Sequence, residues 1–269
     1  MKVLTLNTHS WMEENPEEKM THLAETILAE DYDVIALQEV NQLIGSEKAI
    51  LNDLYCPATD HAIHEDNFAL RLVEYLAVAG AEYYWTWTYS HIGYLRFHEG
   101  LALLSKEPIL PKGYLVSEND DERSARRRCL LTGLTEIDGK MVQVCSCHYS
   151  WWSEEGFVTE WKATEKILQE SEYPLIVMGD FNNPADTEGY RLVTEGVLDL
   201  ADTFVETKHQ IGEHTVSKAI DGWHNNQEKL RIDYVFASKM LTPETYQVVF
   251  DGEESPVVSD HFGVATSFE

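Results

Sequence analysis

Long apolar runs, disulfide-style cysteine spacing and basic charge are all scarce in this chain of 269 residues. Each scarcity removes a class of protein. No segment reaches the roughly 18 consecutive apolar residues that a membrane helix needs. The opening MKVLTLNTHSW has one lysine and an apolar stretch too short for a secretory signal. The four cysteines, Cys56, Cys129, Cys145 and Cys147, have no even, framework-like spacing, which fits a reducing compartment. An intracellular, cytoplasmic location with no membrane partner is the expectation. Basic side chains number 20 against 47 acidic ones, a formal net charge of −27. Phosphate neutralisation supplies most non-specific nucleic-acid affinity, so such a surface repels a polyanion and points to a small substrate. A bound metal ion or a local basic patch can offset that repulsion. Gly/Ser linkers, low-complexity tracts and internal repeats are also missing, so residues 1–269 read as one domain, large enough to bury a core without staples.

The patterning is that of an α/β protein. A short strand, Val3 to Leu6, delivers Asn7 to its end. A helix follows from Asn15, with Pro16 in the first helical position and Glu18 as a capping-box partner. Met20, Leu23, Ile27 and Leu28 give this helix one apolar face. A buried strand over Val34 to Leu37 ends at Gln38-Glu39. Helices are expected at 67–79 and 157–168. Further strands are expected at 101–104, 130–137, 141–147, 175–178, 232–237, 246–250 and 262–268. Neighbouring strands recur without intervening helices, which predicts mixed rather than purely parallel sheets.

Strand after strand ends in a group able to bind a metal or move a proton. These are Asn7, Glu39, His148, Asp180 with Asn182, Asp233, and Asp260 with His261. Each has an ordinary structural reading as a turn, a cap or a satisfied core histidine; together they suggest one shared crevice at the strand ends. Carboxylates and carboxamides are hard oxygen ligands that favour Mg²⁺ or Mn²⁺. Two histidines beside them can assist proton transfer near neutral pH. Metal, acid/base groups and amide donors point to hydrolysis at phosphorus. Zinc is disfavoured: in a strand, Cys145 and Cys147 face one way and His148 the other, so CSCH cannot supply three ligands.

LTLNTHS, VIALQEVN, GDFNN, RIDYVFAS and SDHFGVAT, in this order, resemble the endonuclease/exonuclease/phosphatase superfamily, and they run from residue 4 to residue 266. The resemblance implies a four-layer α/β/β/α sandwich, with two mixed β-sheets face to face. It implies Glu39 as the principal Mg²⁺ (or Mn²⁺) ligand, with Asn7 beside it and Asp260 completing the metal environment. Asp180 would position or deprotonate the attacking water, and Asn182 would steady the pentavalent phosphorus. His261, oriented by Asp233, would be a general base or phosphate contact, and His148 a second phosphate or leaving-group contact. A protein that had lost catalysis would be expected to lack one of these groups, yet every position is filled.

Two stretches depart from the superfamily pattern, NTHSW and CSCHYSWW. With LNTHSWMEE, HIGYLRFHEGLALLSK and KAIDGWHNN, they resemble a narrower group, the bacterial maltose 6'-phosphate phosphatases. That resemblance implies removal of phosphate from a phosphorylated disaccharide. A phosphodiesterase, nuclease or sphingomyelinase-like, is the alternative, because the same catalytic residues serve diesters. Sugar rings stack on aromatic faces, which makes Trp151, Trp152, Trp85 and Trp87 candidate substrate contacts. Tryptophan at period two is equally a strand-core residue. Arg96, or an arginine of RSARRRC at 123–129, is a candidate phosphate contact.

Overall fold

Continuous apolar runs give the central strands two buried faces, and the fold covers both by stacking two sheets with helices outside. The structure, a computed structural model, describes residues 1–253 and 255–269. In chain order the elements are β1 (Lys2–Asn7), α1 (Pro16–Glu30), β2 (Val34–Leu43), α2 (Phe68–Val78), β3 (Tyr84–Gly93) and β4 (Phe97–Ser105). Next come β5 (Leu110–Leu115), β6 (Cys129–Ile137), β7 (Lys140–His148), α3 (Thr159–Leu168), β8 (Leu175–Asp180) and α4 (Glu188–Thr194). The chain closes with β9 (Leu200–Asp202), α5 (Thr203–Glu206), β10 (His209–Ile211), β11 (Asp233–Ser238), β12 (Pro243–Val249) and β13 (Gly263–Phe268). A seven-stranded sheet has the order β10-β12-β13-β1-β2-β4-β3, and a six-stranded sheet the order β5-β6-β7-β8-β11-β9. Both are mixed: β1 runs parallel to β2 and β7 parallel to β8, while their other neighbours are antiparallel.

Three apolar layers hold the stack together. Leu4, Leu6, Ile35 and Leu37 pack outward under α1 and α2. Val3, Val34, Ala36 and Leu103 meet Leu131, Val144, Met178 and Val235 between the sheets. Cys145, Cys147, Val177 and Phe236 lie beneath α3 with Phe157 and Trp161. The expected four-layer sandwich is therefore the observed one. Cys145 and Cys147 are free thiols in the outer layer, on the opposite face from His148.

Several local expectations are corrected. Asn15 precedes α1, but it adopts a left-handed conformation (φ 55°) and its side chain makes no capping bond. The helix start rests on Pro16 alone; at α2, by contrast, Asn67 accepts from the amides of Ala69 and Leu70. The second strand does not stop at Gln38-Glu39. It runs on to Leu43 through a register shift between Leu37 and Val40. Trp85 and Trp87 belong to a β-hairpin and are buried in the layer under α2, where the Trp87 indole donates to the Val40 carbonyl (3.0 Å). Neither faces a ligand, because the apolar face of β3 points into that layer. No helix among the described residues is long and apolar enough to cross a membrane.

Candidate active site

The polar row begins in the register of the second sheet. His148, Asp180 and Asp233 pair directly across β7, β8 and β11, so their side chains leave the same face at the same level. Gly179 permits this close approach: a methyl group there would lie 1.9 Å from the Cys147 carbonyl oxygen. The first sheet brings Asn7 from the end of β1 and Glu39 from β2. The irregularity in β2 puts Glu39 at φ 51°, and such a bulge re-aims a side chain toward a rim. Asn7 ties the sheets together. Its Nδ2 donates to Glu39 Oε1 (3.0 Å) and to Asp180 Oδ2 (3.1 Å).

Asp180 is the hub. Its Oδ1 accepts from the Asn182 amide (2.8 Å), and its Oδ2 lies 3.5 Å from His148 Nε2 and 3.7 Å from His261 Nε2. Burial and the neighbouring Asp233 push its carboxyl up to about 7. The two histidines are driven apart. Burial and then the Arg128 charge hold His148 well below the ordinary histidine range, so its ring is neutral. Burial opposes charge on His261 as well, but Asp233 and Asp180 outweigh it and hold the ring well above that range. His261 Nδ1 donates to Asp233 Oδ2 (2.9 Å), which leaves its Nε2–H directed toward Asp180. The site thus holds one neutral and one cationic imidazole beside a carboxyl poised near neutrality.

The orientation of Asn182 is settled by a residue that the sequence did not reveal. The Trp223 indole donates to Asn182 Oδ1 (2.8 Å), and an indole can only donate. Asn182 Nδ2 is therefore turned toward His148 Nε2 (3.2 Å) and the Tyr149 carbonyl (3.0 Å), which take up its two N–H bonds.

Asp260 stands in a neighbouring cluster with His9 and Glu13. Its backbone N–H donates to Glu13 Oε1 (3.0 Å), and its Oδ1 lies 3.9 Å from His9 Nδ1. Burial disfavours charge on His9, but the hydrogen bond to Glu13 and the charges of Glu39 and Asp260 raise it to about 9. Glu39 has a buried oxygen, Oε2, without a hydrogen-bond partner. Burial, with Asp260 nearby, raises its carboxyl above the usual range. An unpartnered carboxylate oxygen among hard oxygen donors fits a divalent cation such as Mg²⁺ or Mn²⁺. Glu39, with Asn7 and Asp260 beside it, would hold that ion.

This cluster opens into a pocket of about 340 Å³. Glu39, His148, Asp180, Asn182 and His261 form one side; His91, Glu99, Arg128, Trp151 and Asp221 form the rest. Three loops are tied together around it. Tyr94 donates to Asp221 Oδ2 (2.6 Å), and Trp151 packs against Gly222, where a methyl would meet the indole at 2.4 Å. Of the aromatic and arginine candidates, Trp151, Arg123 and Arg128 line this pocket. Trp152 is 43 % exposed and lines shallower depressions outside it, and Arg96 lies over Phe97 and is absent from its lining. His91, Glu99, Asp221 and Trp223 were not expected in a site. The only sequence signal for them is that they fall in HIGYLRFHEG and KAIDGWHNN, stretches that carry the narrower resemblance.

The profile of the Endonuclease/Exonuclease/phosphatase family matches residues 10–261. An endonuclease/exonuclease/phosphatase family protein from Leptotrichia buccalis is 33% identical, with a TM-score of 0.87 over 100% of this chain and 99% of that one. A mannosyl-6-phosphatase from Bacteroides thetaiotaomicron is 16% identical, with a TM-score of 0.68 over 100% and 99% of the two chains. The catalytic domain of human Nocturnin with bound sulfate is 17% identical, with a TM-score of 0.67 over 100% and 93%. No curated protein matches the chain.

Proposed function

Because the chain belongs to the endonuclease/exonuclease/phosphatase family, hydrolases that act on phosphoester bonds and generally depend on divalent metals, we propose that it is a Mg²⁺- or Mn²⁺-dependent phosphomonoesterase of small sugar phosphates. Its substrate class on this reading is a phosphorylated disaccharide such as maltose 6'-phosphate, and its place of action the cytoplasm. The observation that carries the reading is the pocket of about 340 Å³ beside the candidate catalytic cluster, flanked by loops linked through Tyr94–Asp221 and Trp151–Gly222. A volume of this order suits a small ligand; a nuclease needs an open groove with a basic rim. The net charge of −27 adds to the case against a polyanion. The stretches that carry the narrower sequence resemblance also supply the pocket wall, through His91, Tyr94 and Glu99 on one side and Asp221 and Gly222 on the other.

The residues divide the chemistry as follows. When bound, the cation would act as a Lewis acid on a phosphoryl oxygen. Asp180, near neutrality in pKa, accepts the proton of the attacking water. The cationic His261 faces the charge that builds on the phosphoryl oxygens, and Asn182 Nδ2 would join it by exchanging its bond to His148 for one to the phosphate. Asp233 fixes the His261 tautomer through Nδ1. His148, neutral with Nε2 accepting from Asn182, holds that side chain in place beside the phosphate or the leaving group.

Purified protein is expected to release phosphate from sugar phosphates with Mg²⁺ or Mn²⁺ and to stop in EDTA. Activity confined to a diester or an oligonucleotide would overturn the reading. Trp223→Phe keeps ring bulk and deletes one N–H. It is expected to lower kcat roughly tenfold with the loss falling on kcat rather than KM, measured by steady-state phosphate release. An unchanged kcat would mean that the indole does not hold Asn182.

A further inference from the structure

The RSARRRC stretch places four arginines in an acidic chain, and the fold gives them different surroundings. Arg127 is spent on Asp120, the Ser90 carbonyl and the Tyr89 ring. Arg128 is 4 % exposed, its Nε is buried without a hydrogen-bond partner, and it lines the pocket beside His148, His91 and Glu99. Its backbone is pinned on both sides. The amide donates to Ser117 Oγ (2.9 Å), and the carbonyl accepts from the amides of Val116 and Ser117 (3.0 and 3.3 Å). The guanidinium forms no salt bridge among the described residues. Two nearby carboxyls that feel its charge have other partners: Glu160 accepts from Ser150 N and Oγ (2.8 and 2.6 Å), and Glu99 lies 3.5 Å from His91 Nε2.

A buried guanidinium with no anion is costly, so its place on a pocket wall calls for an anionic ligand. We propose that Arg128 binds the terminal phosphate of the substrate and selects a phosphomonoester dianion over a diester. Glu39, Asp180, Asn182 and His261 stand on one side of the pocket and serve oxygens that both esters possess. A monoester adds one more non-bridging oxygen and one more negative charge, which the planar donor fork of an arginine matches. Two further buried atoms without partners, His91 Nδ1 and Trp151 Nε1, lie on this lining and suit hydroxyl groups of the attached sugar. The inference rests on the phosphomonoesterase reading and goes further in naming what makes the site selective.

The test compares p-nitrophenyl phosphate with bis(p-nitrophenyl) phosphate in wild type and Arg128→Gln. The monoester-to-diester ratio of kcat/KM is expected to fall roughly tenfold or more, the worth of a charged hydrogen bond. Inhibition by inorganic phosphate should weaken in parallel, which separates free-phosphate binding from ester discrimination. An equal loss on both esters, or unaltered phosphate inhibition, overturns the proposal. If Arg128→Gln does not fold, Arg128→Lys keeps the charge without the fork and is expected to raise the monoester KM severalfold; an unchanged KM overturns the proposal equally. Wild-type protein with no monoesterase activity would instead defeat the underlying functional reading.

Discussion

Asp180→Asn is expected to lower kcat by roughly 10²- to 10⁴-fold, the usual contribution of a positioned proton acceptor. Asp180 receives hydrogen bonds from Asn7 Nδ2 (3.1 Å) and the Asn182 amide (2.8 Å), and both histidine Nε2 atoms point toward it. The substitution keeps the shape and removes the charge and the proton-accepting oxygen. A second readout separates a chemical role from a structural one. His261 owes its raised pKa to Asp233 and Asp180 acting against burial. Removing one of these two negative charges must move that pKa down, which ring-nitrogen NMR follows directly. Turnover within about threefold of wild type, with the His261 titration unmoved, would show that Asp180 is not the hub described.

Glu39→Gln is expected to cost at least roughly 100-fold in turnover and to abolish any stabilisation by divalent cations. A cation at about 100 times its Kd adds about 2.7 kcal/mol to wild-type stability, a shift of several degrees in Tm for a chain of this size. The variant should show no such shift with Mg²⁺ or Mn²⁺. In EDTA the sign reverses. Burial raises the Glu39 carboxyl above the ordinary range, so the ionised form opposes folding at neutral pH. A neutral glutamine relieves that cost, and cation-free Glu39→Gln should melt no lower than wild type. A variant that still gains stability from Mg²⁺ would place the cation elsewhere.

The sequence by itself determined the architecture and named most of the polar groups that gather at the crevice. Short continuous apolar runs ending in polar residues, such as Val34 to Leu37 or Leu175 to Met178, are local signals that chain chemistry writes directly. The motifs around Asn7, Asp180, Asp233 and His261 remain readable because each sits at or beside a strand end, while Glu39 marks the irregularity inside β2. Other features depend on what lies across space. Asn15 has the residue type of a cap but not the backbone, since α1 enters from a left-handed turn. Trp85 and Trp87 alternate like both core and ligand-binding residues, and only the packing of α2 on β3 buries them.

Tertiary structure alone decided the protonation pattern and the pocket. His148 and His261 are the same residue type with different charge states, because burial, reinforced by Arg128, keeps one neutral while Asp233 and Asp180 outweigh burial at the other. Asn182 has a defined donor face because Trp223, 41 residues away, occupies its oxygen. Within RSARRRC, burial against the pocket singles out Arg128, which no composition or period could distinguish from its neighbours. Residue type is fixed locally, but charge state, amide orientation and ligand access are set by neighbours distant in sequence and close in space.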